Sequence, residues 1–379
     1  MRVDISPEIF RWACLRAGLD TQIIAQKLPQ FTAWMMGGKK PTLKQLERFC
    51  KIVHAPVGLM FLPTPPEEQL PIPDFRTVGN AHVGHPSPDL LETIYLCQQR
   101  QEWYRYFSIS IHNDPLLFVG SASLQDSVKQ IAQEIRQTLG FEIESRSKLS
   151  TWEEALRQFI AQSDEAGIMV MVSGVVSSNT HRKLNYEEFR GFVLSDDQAP
   201  LIFINGKDTK SAQMFTLAHE LAHIWLGKTG VSDVGPLTKP SNKVELWCNK
   251  VAAEMLVPID GIKNQYRRTE EPTGEMERLA RFYKVSTLVI LRRIFDAGFI
   301  TYADFNNLYN AELERLLGLK KSSGGNYYLT QPARVSKRFA RALIISTLEG
   351  QTLHRDAMQL LGIKKMSTFR ELGDRLGIV

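Results

Sequence analysis

His219, Glu220 and His223, within Met214-Phe-Thr-Leu-Ala-His-Glu-Leu-Ala-His-Ile-Trp225, have the types and spacing to hold a metal ion and move a proton. Residues four apart on an α-helix lie one above the other, so both imidazoles can face one ion while Glu220 stands beside it. Zinc in a catalytic site takes three protein ligands and leaves a fourth position for water, so a further donor must come from another element. Asn242 to Pro258 reads as a second helix holding two carboxylates, Glu245 and Glu254. They are nine residues apart and point to opposite faces, so only one can reach the ion. Glu245 shares its face with Cys248, Asn249 and Ala252 and is the expected third ligand, although its spacing from Asn242 equally fits a capping box.

These side chains need elements to position them. Ile168-Met-Val-Met-Val172, Gly191-Phe-Val-Leu194 and Leu201-Ile-Phe-Ile204 are short apolar runs bounded by turn residues, and they predict three strands just ahead of the His219 helix. An edge strand of such a sheet can hold an extended peptide by main-chain pairing while the helix presents the metal to its scissile bond. Asp208 or Thr209 caps the helix at its start, Gly227 marks its end, and Ala218 and Ala222 leave room for a second helix to approach.

The chain has 379 residues, enough for two or three folding units, and 43% apolar content fills their cores. Cys14, Cys50, Cys97 and Cys248 are scattered with no C-x-x-C pair, which excludes a cysteine zinc finger and fits a reducing cytoplasm. No signal-peptide pattern and no stretch near the roughly 20 apolar residues of a membrane span is present, so the expected location is cytoplasmic, with no membrane role. Residues 1–60 carry nine Lys/Arg against four Asp/Glu and residues 301–379 twelve against seven, so basic ends flank an acidic centre. Such ends permit DNA contact, but an excess this small more often marks a solvated surface.

Toward the N-terminus, Pro7–Ala17, Thr21–Leu28, Phe31–Met36 and Thr42–Val53 read as short helices with tight breaks at Gly18 and Gly37-Gly38. In Ala25-Gln-Lys-Leu28, Trp34, Gly37-Gly38 and Pro41-Thr-Leu-Lys-Gln-Leu46 this stretch resembles the Xre-type helix-turn-helix family. Its third helix is compressed to Pro29–Met36 and offers few groove-reading side chains beyond Gln30 and Thr32. The proline-dense run from Pro56 to Asp74 predicts an extended connection across the surface. Helices are expected at Pro88–Phe107, Ser123–Leu139, Thr151–Ser163, Glu275–Tyr283 and Ser286–Ala297. After the break Ser322-Ser-Gly-Gly-Asn326 come Tyr327-Tyr328, the basic run Arg334–Arg341, and helices at Ser346–Leu361 and Thr368–Leu376. His82, His85, His112 and His181 stand alone and read as structural or solvated, and His354 has no partner ligand.

Glu187-Glu-Phe-Arg-Gly-Phe192, Pro200–Asn205, Phe215–His223, Gly230-Val-Ser232 and Glu245-Leu-Trp-Cys-Asn249 through Ala252-Ala253 to Pro258 together resemble the ImmA/IrrE family of metallopeptidases, over about residues 165–260. The resemblance implies a zinc-dependent endopeptidase that cleaves a helix-turn-helix transcriptional repressor and so releases stress, phage or mobile-element genes. It carries over His219, His223 and Glu245 as metal ligands and Glu220 as catalytic base. Mn²⁺ or Fe²⁺ suits the same donors. Tyr186, Arg190 and His181 are conceivable oxyanion donors, and nothing in their spacing chooses among them.

The expected fold class is α+β and mostly helical. A small three-stranded sheet packs on the HExxH helix in a zincin-like domain with a gluzincin-type ligand set, at residues 81–300. A helix-turn-helix-like module at 1–60 and a proline-rich linker at 61–80 precede it, and a helical region at 301–379 follows. The competing reading is a non-enzymatic Xre-like DNA-binding regulator or antitoxin-like protein with a structural metal site, for which metal-independent, steeply salt-dependent DNA binding is the signature.

Overall fold

A computed structural model describes residues 2–76, 86–232, 242–268, 271–318 and 334–378. His82, His85, the loop at 233–241, the Ser322–Asn326 break and Tyr327-Tyr328 lie outside the described residues. Contacts divide the chain into two compact units, Met1–Pro71 with His82–Tyr95, and Ile72–Ala81 with Leu96–Val379.

In the first unit, α1 (Pro7–Arg16), α2 (Thr21–Lys27), α3 (Phe31–Met35) and α4 (Leu43–Val53) follow the predicted breaks to within a residue or so at each end. Local chemistry sets those ends. Ser6 caps α1, Asp20 caps α2, and Thr42 with Gln45 forms a reciprocal capping box on α4. The core is aromatic: the Phe10 ring meets Phe49 edge-on at 5.1 Å and Phe31 stacks on Phe49 at 5.3 Å. Phe31 and Trp34 of the short α3 are therefore held inside the unit, while Gln30 and Thr32 remain exposed. The proline-dense stretch is not wholly extended, because Val57–Phe61 forms a 3₁₀ turn that buries Met60.

The second unit is α+β and mostly helical. Helix α5 (Pro88–Ser110) starts in the first unit and from Leu96 belongs to the second, where α6 (Val128–Leu139), α7 (Ile143–Ser147) and α8 (Trp152–Glu165) lead into β1 (Met169–Ser173), β2 (Gly191–Leu194) and β3 (Leu201–Asn205). Helix α6 starts later than the periodicity implies, since Asp126 accepts from the Ser123 amide and hydroxyl and shapes a turn ahead of it. After α9 (Lys210–Trp225) comes β4 (Gly230–Ser232), which corrects the expectation of three strands to four in the order β1-β3-β2-β4. β1 runs parallel to β3, and β2 is antiparallel to β3 and β4. A three-residue strand is too short to show a period in sequence.

The helices α10 (Lys243–Leu256), α11 (Ile259–Gln265), α12 (Pro272–Tyr283), α13 (Thr287–Asp296) and α14 (Tyr302–Gly318) follow. The apolar core joins the sheet to α9 and α10: Val170, Val193 and Ile202 share it with Leu217, Leu221, Ile224, Cys248 and Ala252. Beyond it lie α15 (Lys337–Leu348), α16 (His354–Leu361) and α17 (Met366–Arg375). Ser346–Leu361 is thus not one helix, because the chain turns at Gly350 with φ 77°. Two cations of the basic run bond internally: Arg338 Nε donates to the Tyr104 hydroxyl at 2.7 Å, and Arg341 donates to the Leu376 carbonyl. Among the described residues no helix is long and apolar enough to cross a membrane.

Candidate metal centre

Helix α9 carries the centre. Thr209 caps it by accepting from the Ala212 amide at 3.2 Å, and it stops at Leu226 as Gly227 turns with φ 63°. Every residue from Gln213 to Trp225 is buried, as a helix sandwiched between a sheet and other helices must be. His219, Glu220 and His223 are therefore enclosed by packing, with no accessible surface.

Helix α10 brings the third donor. Asn242 caps it by accepting from the Val244 amide at 2.8 Å, and Glu245 points at the histidines, with 1% of its surface exposed. Its Oε2 lies 3.2 Å from His219 Nε2 and its Oε1 3.0 Å from His223 Nε2, while the two Nε2 atoms are 3.1 Å apart. One donor atom from each of the three residues falls within 4.8 Å of the others. Glu254, the other carboxylate on α10, is occupied elsewhere: it accepts from the Ile259 amide and pairs with Arg293.

The electrostatics of this cluster are unusual for a buried site. Both oxygens of Glu245 lack a well-directed hydrogen bond, and so do Glu220 Oε1 and His223 Nδ1. Buried polar atoms left without partners are costly, and convergent lone pairs of two imidazoles and a carboxylate repel unless a cation or proton sits among them. Burial opposes ionisation of Glu245, but the His219 and His223 imidazoles close to its oxygens outweigh it and bring the carboxyl down to about 2. Burial, then the charge of Glu245, pushes Glu220 well above the usual carboxylate range. Burial lowers His223 and keeps it neutral, the form in which imidazole is a ligand. This donor set fits a divalent borderline metal such as zinc.

Three contacts around the donors have no signal in the HExxH pattern. Asn249, one turn after Glu245, has its Oδ1 3.0 Å from His219 Nδ1, which requires the tautomer that leaves Nε2 free to bind a cation. Ser232 of β4 places its hydroxyl 3.4 Å from Glu220 Oε2 and 3.3 Å from His223 Nε2. The Phe75 ring stacks on the His223 imidazole at 5.6 Å with the planes 6° apart. Asn249 was visible in sequence as a neighbour of Glu245 on its helix face, whereas Ser232 reaches the donors from β4, nine residues after His223, and Phe75 comes from a distant segment. Of the conceivable oxyanion donors, Arg190 lies 3.6 Å from Asp208 and His181 is exposed. Gly191 of β2 is where backbone and helix come closest, since a Cβ there would sit 2.7 Å from Thr216 Cγ2 and 3.0 Å from Glu220 Oε1.

A short sheet laid on a helix that bears two histidines and a glutamate, with a second glutamate on the next helix, is the layout of a metallopeptidase of the zincin type. In agreement, residues 164–295 match the family model of peptidase family M78 described as the IrrE N-terminal-like domain, so this part of the chain is similar to the ImmA/IrrE family. Residues 335–375 match a domain of unknown function (DUF8813). No curated protein matches the chain. The family supports a metallopeptidase acting on a protein substrate.

Proposed function

We propose that the protein is a zinc-dependent endopeptidase that cleaves a helix-turn-helix transcriptional repressor, with His219, His223 and Glu245 as ligands and Glu220 as the catalytic base. The observation that carries this reading is the convergence of three buried donors within 4.8 Å beside a second carboxylate, Glu220, that the histidines do not engage. Mn²⁺ or Fe²⁺ fits the same donors.

A Zn²⁺ ion held there supplies the Lewis acidity that activates a water and polarises a peptide carbonyl. Glu220 takes the proton of the attacking water and returns it to the leaving amine. Burial raises the Glu220 carboxyl, which makes its carboxylate a stronger base toward the water, and the Ser232 hydroxyl, donating to Oε2, fixes its direction. Asn249 holds the His219 ring with Nε2 turned inward. The outer edge of the sheet offers the substrate main-chain pairing.

The regulatory role rests on the family likeness and on the helix-turn-helix-like unit at the N-terminus. DNA contact by that unit has weaker support, since Phe31 and Trp34 of α3 belong to its core and Lys40 is paired with Asp4 at 2.5 Å. The test is equilibrium dialysis against Zn²⁺ together with cleavage of a helix-turn-helix repressor. Wild type and Glu220→Gln should each bind one ion and only wild type should cut, while His223→Ala and Glu245→Ala should lose both properties. Metal-independent cutting, or full zinc binding by Glu245→Ala, would refute the assignment.

A further inference from the structure

The segment Ile72-Pro-Asp-Phe-Arg76 belongs to the second unit and runs along the outer edge of β4. Asp74 bridges Val231 in parallel: the Phe75 amide donates to the Val231 carbonyl, and the Val231 amide donates to the Pro73 carbonyl, each at 2.9 Å. The contact has the form of one added strand position at a sheet edge, the mode by which sheets bind extended peptides. It carries an aromatic side chain to the metal donors, where the Phe75 ring lies parallel to the His223 imidazole and offset from it, with centroids 5.6 Å apart. Gly230 makes this approach feasible, because a Cβ at that position would sit 2.3 Å from Phe75 Cε2. The next residue locks the segment down. Arg76 is buried, donates to both oxygens of Asp74 at 2.8 Å, and donates to the Glu188 carbonyl at 3.2 Å.

Two features separate this segment from a permanent strand. It forms an isolated bridge and not a ladder, and Pro71 and Pro73 have no amide hydrogen to extend the pairing. The metal donors it adjoins have at most 1% of their surface exposed, although an endopeptidase must admit a polypeptide to them. We infer that Ile72–Arg76 is a built-in strap that occupies the place on β4 where an extended peptide substrate pairs, with Phe75 filling the position of a substrate side chain against His223. Substrate therefore enters by displacing the strap, and the groove favours an extended segment with an aromatic residue at that point. This inference rests on the peptidase reading of the site.

The test uses the full zinc-loaded chain, as wild type and as Phe75→Ala combined with Arg76→Ala. The probe is a fluorescein-labelled nonapeptide of residues 70–78, followed by fluorescence anisotropy, with unfolded casein as a cleavage substrate. The double variant should bind the peptide at least tenfold tighter than wild type and cut casein at least tenfold faster, and adding Glu220→Gln should abolish the cutting. Equal binding and equal cutting by the two proteins would overturn the strap and leave the peptidase reading standing. Tighter peptide binding by the double variant without cutting by either protein would show that the segment covers a peptide-binding edge on β4, but would overturn the peptidase reading and with it the assignment of that edge to substrate. Should the double variant misfold, hydrogen exchange on the wild-type chain decides. The Phe75 amide should exchange at least tenfold faster than the amides of β3, and equal protection would show a permanent strand.

Discussion

Replacing Gly191 with alanine aims one methyl group at the proposed base. The added Cβ would lie 2.7 Å from Thr216 Cγ2, 3.0 Å from Glu220 Oε1 and 3.0 Å from the Phe203 carbonyl oxygen. Carbon atoms pack at about 3.5–4.0 Å, so the overlap with Thr216 is close to 1 Å. Neither Phe203, in the middle of β3, nor the stiff β-branched Thr216 can turn away cheaply. Relief comes from α9 moving off β2, or from the Glu220 carboxylate swinging out of line. Overpacking of this kind costs about 1–3 kcal/mol in stability. A displacement of roughly 0.5–1 Å at the base should lower kcat by about 10- to 100-fold. Steady-state kinetics on a repressor substrate, with thermal melting in parallel, reads both quantities. The zinc stoichiometry should not change, because the three proposed ligands are not among the clashing groups. A Gly191→Ala protein that keeps wild-type kcat would refute the placement of Glu220 as base.

Four further outcomes follow from the same geometry. Asn249→Ala frees the His219 ring and should weaken zinc affinity by about 10- to 100-fold, as removal of outer-shell partners does, and competition with a chromophoric chelator checks it. Removing metal should lower the melting temperature: at a free zinc concentration of about 1,000 times Kd, binding stabilises the fold by about 4 kcal/mol, and an unchanged melt after chelation would contradict a site inside the core. Glu254→Ala removes the close partner of the buried Arg293, which keeps the Val257 carbonyl, and Asp296 at 3.6 Å, and should cost about 3 kcal/mol while the zinc stoichiometry of the folded fraction is unchanged. Asp164 is buried beside Ser336, and burial raises its carboxyl from 3.8 to about 6. Its contribution to stability is present below pH 4 and lost as pH rises through 6. Asp164→Asn should therefore gain on wild type by up to about 3 kcal/mol between pH 4 and pH 7, whereas a pH-independent difference in melting would count against the burial argument.

The convergence of His219, His223 and Glu245 could be anticipated from sequence, the histidines by a short-range rule and Glu245 by its helix face together with the family resemblance. Four-residue spacing puts His219 and His223 on one helix face, and the nine-residue gap between Glu245 and Glu254 sends them apart, as the Arg293 pair on Glu254 shows. Strands β1 to β3 were legible as apolar runs between turns, and the helices near the N-terminus from their caps. What escaped depends on contacts that no local pattern encodes. β4 has three residues, and its strand character comes from pairing with β2. Asp74 meets Val231 across more than 150 positions, and a proline-rich run gives no hint of sheet pairing. Ser232 and Phe75 reach the centre only through those pairings. The division of Ser346–Leu361 into two helices turns on Gly350, a residue whose cost inside a helix is small enough that periodicity alone passes over it.

In the proposed reaction His219, His223, Glu245 and Glu220 hydrolyse a peptide bond with a metal's help. Its most direct test incubates the zinc-loaded chain with a helix-turn-helix repressor in ¹⁸O-labelled water and examines the fragments by mass spectrometry. A new C-terminus carrying one ¹⁸O, formed by wild type and absent with chelator or with Glu220→Gln, is the predicted result. An intact repressor, or the same labelled fragment from Glu220→Gln, would contradict it.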